Sequence, residues 1–215
     1  MAVYDLEEQE QISEIKAWWA ENGKLVTAVV LAAAIGSVSW QGLRWYQNKQ
    51  AAEAGAIYFT VQEAARGNDA AKAREAAGQL IDRFGDTSYA QLAALVSAKV
   101  QFAGGDSKNA RAHLEWLIGN GDDAALKDIA RLRLATILLH EGAYADALKE
   151  LDVTPAPSLK PRYDDLRGDV LAMDGKTDQA RAAYQAALDA LAAGGAQIGD
   201  PLREVIRLKL DSLES

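Results

Sequence analysis

The stretch ATILLHEGAYADALKEL, residues 135–151, contains two helical faces and the turn that joins them. A small residue, Ala135, precedes Gly142 by seven positions; Ala147 follows it by five and Leu151 by nine. In a helical hairpin each of these positions has a physical task. A small residue lets the first helix approach the second, glycine turns the chain, and a second small residue sits where the return helix crosses back. A large apolar side chain then fills the space left open, because protein interiors tolerate few voids. Tyr144 adds an aromatic ring just after the turn.

The same spacing recurs on both sides. Ala98, Gly105, Ala110 and Leu114 repeat it upstream, and Gly168, Gly175, Ala180 and Tyr184 downstream, with turn glycines at 105, 142 and 175. Three tandem copies at this period resemble the tetratricopeptide repeat, and GDVLAMDGKTDQARAAYQAAL from Gly168 is a second good copy. VQEAARGNDAAKAREAAGQL, residues 61–80, keeps the helix-turn-helix rhythm around Gly67 but not the alanine spacing, and reads as a degenerate earlier hairpin. Asp200 and Pro201 form an N-cap and first-turn pair before LREVIRLKLDSLE. Its Leu202, Val205, Ile206, Leu210 and Leu213 would cover the last hairpin as a capping helix. With only four prolines, abundant alanine and no alternating β-branched runs, local propensity favours helix nearly throughout.

Upstream of the repeats stands ENGKLVTAVVLAAAIGSVSWQGLRWYQ, residues 21–47, with no charged side chain among the 19 residues between Lys24 and Arg44. As a helix these span roughly 28 Å, close to the thickness of a bilayer's hydrocarbon core. Trp18 and Trp19 precede the run and Trp40, Trp45 and Tyr46 close it, as aromatic belts do at membrane interfaces. A cleaved signal would open on a basic region and end on small residues. Here Asp5, Glu7, Glu8, Glu10, Glu14 and Glu21 come first and the bulky Trp40 with Arg44 and Trp45 comes last, which predicts a retained anchor. Orientation is tied by charge, with Lys16 and Lys24 on one side and Arg44 and Lys49 on the other. Ala28, Ala32 and Gly36 recur every four residues, so one face can admit another transmembrane helix or simply be a mildly apolar anchor surface.

The predicted fold class is therefore all-α: a single N-terminal transmembrane helix, then a tetratricopeptide-like α-solenoid of about three to four helical hairpins and a C-terminal capping helix. The expected boundaries are an acidic tail with an amphipathic helix at 1–23, the anchor at 24–46 and the repeats at 47–215. No proline follows Arg44 before the first repeat, so the span can run straight into the first soluble helix.

Chemistry is sparsely represented. The net charge of -8 and the lack of a Lys/Arg-rich stripe argue against nucleic acid as a partner. The absence of cysteine removes disulfides, thiolate metal sites and cysteine nucleophiles. His113 and His140 fall on different predicted helices without metal-ligand spacing, and no cofactor or metal is expected. The acid pairs Asp122, Asp123 and Asp164, Asp165 read as helix-start residues favoured by the helix dipole, not as catalytic dyads. What remains is surface. Counting back from each turn places Leu92, Leu95, Lys99, Phe102, Leu132, Thr136, Leu139, His140, Arg162, Asp165, Asp169 and Met173 on the groove side of the first helices. That groove is mixed and fairly apolar, suited to a segment of another protein.

The layout as a whole resembles the ancillary subunits of the bacterial SecYEG translocon. The residues that carry the likeness are the acidic tail, IKAWWAENGK entering the apolar run, Trp40 and the RWY triplet at its exit, DTSYAQLAALVSAK from Asp86 at the entry to a repeat, and YDDLRGDVLAMDGKTDQARAAYQAAL from Tyr163. The resemblance implies a non-enzymatic, single-pass protein of the bacterial inner membrane, with its N-terminus cytoplasmic and its repeats periplasmic. It implies as partners the SecYEG channel, a membrane-anchored periplasmic chaperone of the peptidyl-prolyl isomerase type, exported polypeptides and the lipid bilayer. The implied role is to help exported proteins pass from the channel to periplasmic chaperones; a scaffold or assembly factor of another envelope complex is the alternative.

Overall fold

The computed structural model describes residues 4–194 and 200–213, with side chains from residue 10 onward. Among the described residues the chain is all-α, as expected. The helices are α1 (Tyr4–Arg66), α2 (Ala70–Phe84), α3 (Ser88–Ala103), α4 (Ser107–Asn120), α5 (Ala124–His140), α6 (Tyr144–Leu151), α7 (Lys160–Met173), α8 (Thr177–Ala193) and α9 (Pro201–Ser212). The chain divides into two compact units, Met1–Gln50 and Ala51–Ser215. The first is helical where described and leaves its apolar side chains exposed. The second contains the repeats.

In the second unit four hairpins follow one another among the described residues: residues 51–66 with α2, then α3 with α4, α5 with α6, and α7 with α8. All four turn in one way. Asn68, Gly105, Gly142 and Gly175 have φ of 53°, 84°, 74° and 75°, the left-handed region. The next residue's N–H reaches back five positions, Asp69 to Ala64, Asp106 to Gln101, Ala143 to Leu138 and Lys176 to Leu171, at 2.8–2.9 Å. The left-handed residue's own N–H reaches back three positions, Asn68 to Ala65, Gly105 to Phe102, Gly142 to Leu139 and Gly175 to Ala172, at 3.0–3.2 Å. This double closure satisfies carbonyls that a helix end would otherwise leave unpaired.

The first turn corrects the sequence expectation. Asn68, not Gly67, takes the left-handed position, which asparagine tolerates better than other residues with a Cβ. Counted from Asn68, the spacing is intact, with Val61 seven positions before, Ala73 five after and Ala77 nine after, all fully buried. The first hairpin is a regular copy hidden by one asparagine.

Steric matching holds the pairs together. The positions seven before and nine after the turn are occupied by Val61 and Ala77, Ala98 and Leu114, Ala135 and Leu151, and Gly168 and Tyr184. All eight are buried. The larger member comes first in the first hairpin, Val61 with Ala77, and second in the other three, so that one small and one larger residue meet in each. The last case is the extreme one, since a Cβ placed on Gly168 would lie 2.4 Å from the Tyr184 ring. Tyr184 can bury its ring there because its hydroxyl donates to Asp169 Oδ1 at 2.8 Å.

The end of the solenoid follows expectation with one exception. Asp200 caps α9 by accepting from Leu202 N–H at 2.9 Å, and Pro201 takes the first turn. Ile206 is fully buried, with Leu202, Leu210 and Leu213 packed around the same core as Tyr184 and Ala187. Val205 instead remains 47% exposed, because it falls beside the buried stripe that Ile206 occupies.

Gly168→Ala is expected to destabilise the full-length protein in detergent by about 1–3 kcal/mol, the usual cost of overpacking. Adding Tyr184→Leu recreates the alanine–leucine crossing of α3 with α4 and should recover most of that loss. Thermal unfolding followed by circular dichroism checks both, and an unchanged midpoint for Gly168→Ala alone would disprove the close-approach account.

Candidate functional site

Each unit presents one distinctive surface. In the first, α1 carries Leu25, Val29, Val30, Leu31, Ile35 and Val38 at 56–70% exposure, with no compensating protein contact. An exposed apolar surface of this kind calls for a non-aqueous surrounding. One helix among the described residues, in Glu10–Arg66, is long and apolar enough to cross a membrane. Trp19 and Trp40 are about 32 Å apart along such a helix, at 1.5 Å per residue. Trp18, Trp19, Trp40, Trp45 and Tyr46 are all more than half exposed. Trp19 folds over Gly23, where a Cβ would meet its ring at 3.0 Å. At the other end Arg44 stacks over Trp40 at 4.9 Å and Lys49 over Trp45 at 5.7 Å. Ala28, Ala32 and Gly36 are exposed, and nothing approaches within 4 Å of a Cβ built on Gly36.

In the second unit, α3 packs against α5 and α5 against α7, so the first helices of successive hairpins share a face. Two clefts open there. The smaller, about 260 Å³, is lined by Ala98, Lys99, Phe102, Leu114, Arg133, Thr136 and Ile137. The larger, about 420 Å³, is lined by Leu92, Leu95, Val96, Lys99, Val100, Ala103 and Arg133, with Ala65 and Asn68 from the first hairpin. Of the groove residues expected from sequence, Leu92, Leu95, Lys99, Phe102 and Thr136 are brought to these clefts. Leu132 and Leu139 are partly buried against the core, and the His140 ring lies 5.5 Å from that of Phe102.

The α7 residues behave differently. Arg162 and Met173 are exposed and line neither cleft. Asp165 and Asp169 both accept from Lys209 Nζ of α9 at 2.8 Å. Burial raises the Asp165 pKa, against the opposing pull of Lys209. Burial alone would lower Lys209, but its bonds to Asp165 and Asp169 outweigh this and hold it above the ordinary lysine value. These two carboxylates thus fasten the capping helix. The acid pairs also separate: Asp123 caps α5 by accepting from Ala125 and Leu126 N–H, as a helix-start residue should. Asp164 and Asp165 lie within α7, where ion pairs with Lys160 and Lys209 replace the expected capping role. Among the described residues no three His, Cys, Asp or Glu side chains gather as a metal site.

Arg133 was not anticipated, yet it lines both clefts. Its Nη1 donates to the Leu95 carbonyl at 2.8 Å, bridging α5 to α3. Burial lowers its pKa, the mark of a guanidinium withdrawn from water. The repeats held a signal for it: nine positions before each turn stand Phe59, Val96, Arg133 and Leu166, one cation in an otherwise apolar column. Behind the clefts, Gln101 donates to Ser97 Oγ at 2.7 Å and lies 3.4 Å from His113 Nδ1. Burial, with a smaller contribution from Arg74, lowers the His113 pKa and favours its neutral form.

Comparisons with known proteins are consistent in length and name. The family model described as tetratricopeptide repeat-like domain matches residues 16–215. A Neisseria gonorrhoeae protein named ancillary SecYEG translocon subunit is 30% identical, over 97% of this chain and 98% of its own. A Haemophilus influenzae protein of the same name is 27% identical over 98% and 99%, and one from Escherichia coli 25% identical over 99% of each.

Lys209→Met keeps an apolar stem on Tyr184 while removing the charge, and should destabilise the protein by about 1–3 kcal/mol near neutral pH, the range for breaking a partly screened pair. Without the ammonium, nothing from Lys209 opposes the burial that raises the Asp165 pKa, so this carboxyl holds its proton more tightly folded than unfolded. The deficit should therefore shrink as pH falls into the carboxylate range. Chemical unfolding of wild type and variant at several pH values measures this, and a deficit independent of pH would contradict it.

Proposed function

This chain belongs to the ancillary SecYEG translocon subunit family, and on that premise we propose that it is a membrane-tethered protein-interaction module working beside the Sec channel. Its apolar helix holds it in the bacterial inner membrane with the N-terminus cytoplasmic and the repeats periplasmic. The repeat face receives segments of exported polypeptides or of a membrane-anchored periplasmic chaperone of the peptidyl-prolyl isomerase type, and so helps exported chains pass from channel to chaperone. The strip Ala28, Ala32 and Gly36 is where a neighbouring transmembrane helix can approach. The proposed boundaries are a tail at 1–23, a span at 24–46 and the periplasmic domain from 47 to 215.

The observation that carries this reading is the full-length match to relatives bearing that name, joined to a helix with an exposed apolar surface that water would not tolerate. The mechanism is proximity. A tether confines the repeats near the membrane, so that a weak groove meets emerging segments at high effective concentration.

A photo-crosslinking residue at Gly36 is expected to trap channel subunits in intact membranes, and one at Leu139 an exported chain or a membrane chaperone. Single cysteines at Ala2 and Ser215, in a chain with none of its own, should be labelled by an impermeant reagent from the periplasm at Ser215 only. Labelling at Ala2 alone would reverse the orientation, and co-purification with a different envelope complex in place of the channel would favour a scaffold role elsewhere.

A further inference from the structure

The two clefts of the repeat face have Lys99 and Arg133 as their shared lining. This places two cations at the boundary of two largely apolar recesses. In a chain with 31 Asp and Glu against 23 Lys and Arg, neither cleft has an acidic side chain in its lining. Among the described residues, ion pairs engage the neighbouring Arg131 with Glu150 and Arg111 with Glu141, whereas Arg133 donates only to a main-chain carbonyl and Lys99 is exposed. A half-buried guanidinium satisfied by one carbonyl retains donors that a carboxylate can fill, in the planar fork geometry for which arginine is suited. The desolvation that a cation suffers in such a place is offset when an anion arrives.

We propose that Lys99 and Arg133 form an anion anchor that takes the side-chain carboxylate of an acidic residue flanked by large apolar residues in an extended polypeptide segment. The occupant follows from the arrangement of charge and surface. The cations are shared by both clefts, so a segment held there can place apolar side chains into recesses on either side of its acid, which alternate residues of an extended chain achieve. A chain-terminal carboxylate would leave one recess empty. Phe102, Ala98 and Ile137 offer apolar contact in the smaller cleft, and Leu92, Val96 and Val100 in the larger. This inference rests on the proposed role of the repeat face and gives that role a recognition chemistry.

The test uses full-length protein in detergent and fluorescein-labelled peptides, acetylated and amidated at their ends, with a Phe-Ser-Glu-Ser-Leu core. Fluorescence anisotropy should show this peptide binding about tenfold more tightly than one with Gln for Glu, as a charge-assisted hydrogen bond weakened by solvent screening allows. Lys99→Gln, at an exposed position, and Arg133→Gln should each bring the Glu and Gln peptides close to parity, and added salt should do the same. Equal binding of both peptides to the wild type would overturn the proposal, as would a Glu preference that survives both variants. It would also fall if a peptide with a free C-terminal carboxylate and no Glu bound better, or if anionic phospholipid displaced the peptide and itself lost affinity with Lys99→Gln. Crosslinking from Leu139 in membranes keeps the two readings apart. Trapped exported chains with no Glu preference would remove the anchor and leave the proposed function, while loss of both would remove the function as well.

Discussion

Everything in the second unit depends on how closely two helices can approach where they cross. Each hairpin brings one buried residue from its first helix to the crossing and another from its second, from Val61 with Ala77 to Gly168 with Tyr184. The filled volume, not the identity of either residue, is what the crossing requires. Because the turn fixes both positions by chain length, one left-handed residue sets the register of the whole hairpin. Glycine serves in three turns and asparagine in one, and the same pair of main-chain bonds closes them all. Stacking the hairpins then aligns α3 and α5, and the clefts between them follow from a repeated local constraint.

Much of this was legible in the sequence because the constraint is local. Seven residues back and nine forward from a turn are distances that spacing alone reveals, and Asp200 with Pro201 marks a helix start by its own chemistry. The first hairpin escaped for a small reason: the eye for turns settles on Gly67, whereas the backbone bends at Asn68. Val205 escaped because an apolar residue one position from a buried stripe looks the same in text as one within it. Contacts between distant segments were not legible at all. Lys209 lies 40 residues from Asp169, and nothing local says that α9 will set its ammonium against that carboxylate. Asp165 and Asp169 therefore read as groove residues when they secure the cap. Arg133 lies between these extremes, since its column in the repeats shows that it is odd, but only the packing shows that it reaches the α3 carbonyl of Leu95.

Charge is distributed with a similar economy. Acids dominate the chain, and several act at helix ends, where Asp69, Asp106, Asp123 and Asp200 accept from main-chain N–H groups. Others hold neighbouring elements, as Glu141 does with Arg111 and Glu150 with Arg131. The acids thus serve as caps, as ties within and between hairpins, and as charge that favours solubility. Against that background a cleft whose only charges are positive is a local reversal, and local reversals are informative because desolvating a cation is costly unless an anion shares the site.

The two surfaces make different demands of affinity. On the proposed reading the apolar face of α1 has a large and indifferent partner in lipid, and burying it would hold the chain in the membrane with little need for specific contacts. The clefts are small by comparison, with room for a few side chains beside one exposed cation, Lys99, and one half-buried cation, Arg133. Such a surface binds weakly and reads little more than apolar character and charge sign, because screening limits what exposed ions contribute. Weak reading is a defect in a free domain. On the proposed reading it suits a tethered one, since confinement raises the local concentration of segments that share the membrane surface and leaves release fast. On that same reading, a protein that hands chains onward has more use for rapid release than for tight capture, and the proposed half-screened anchor between two small recesses would meet that requirement.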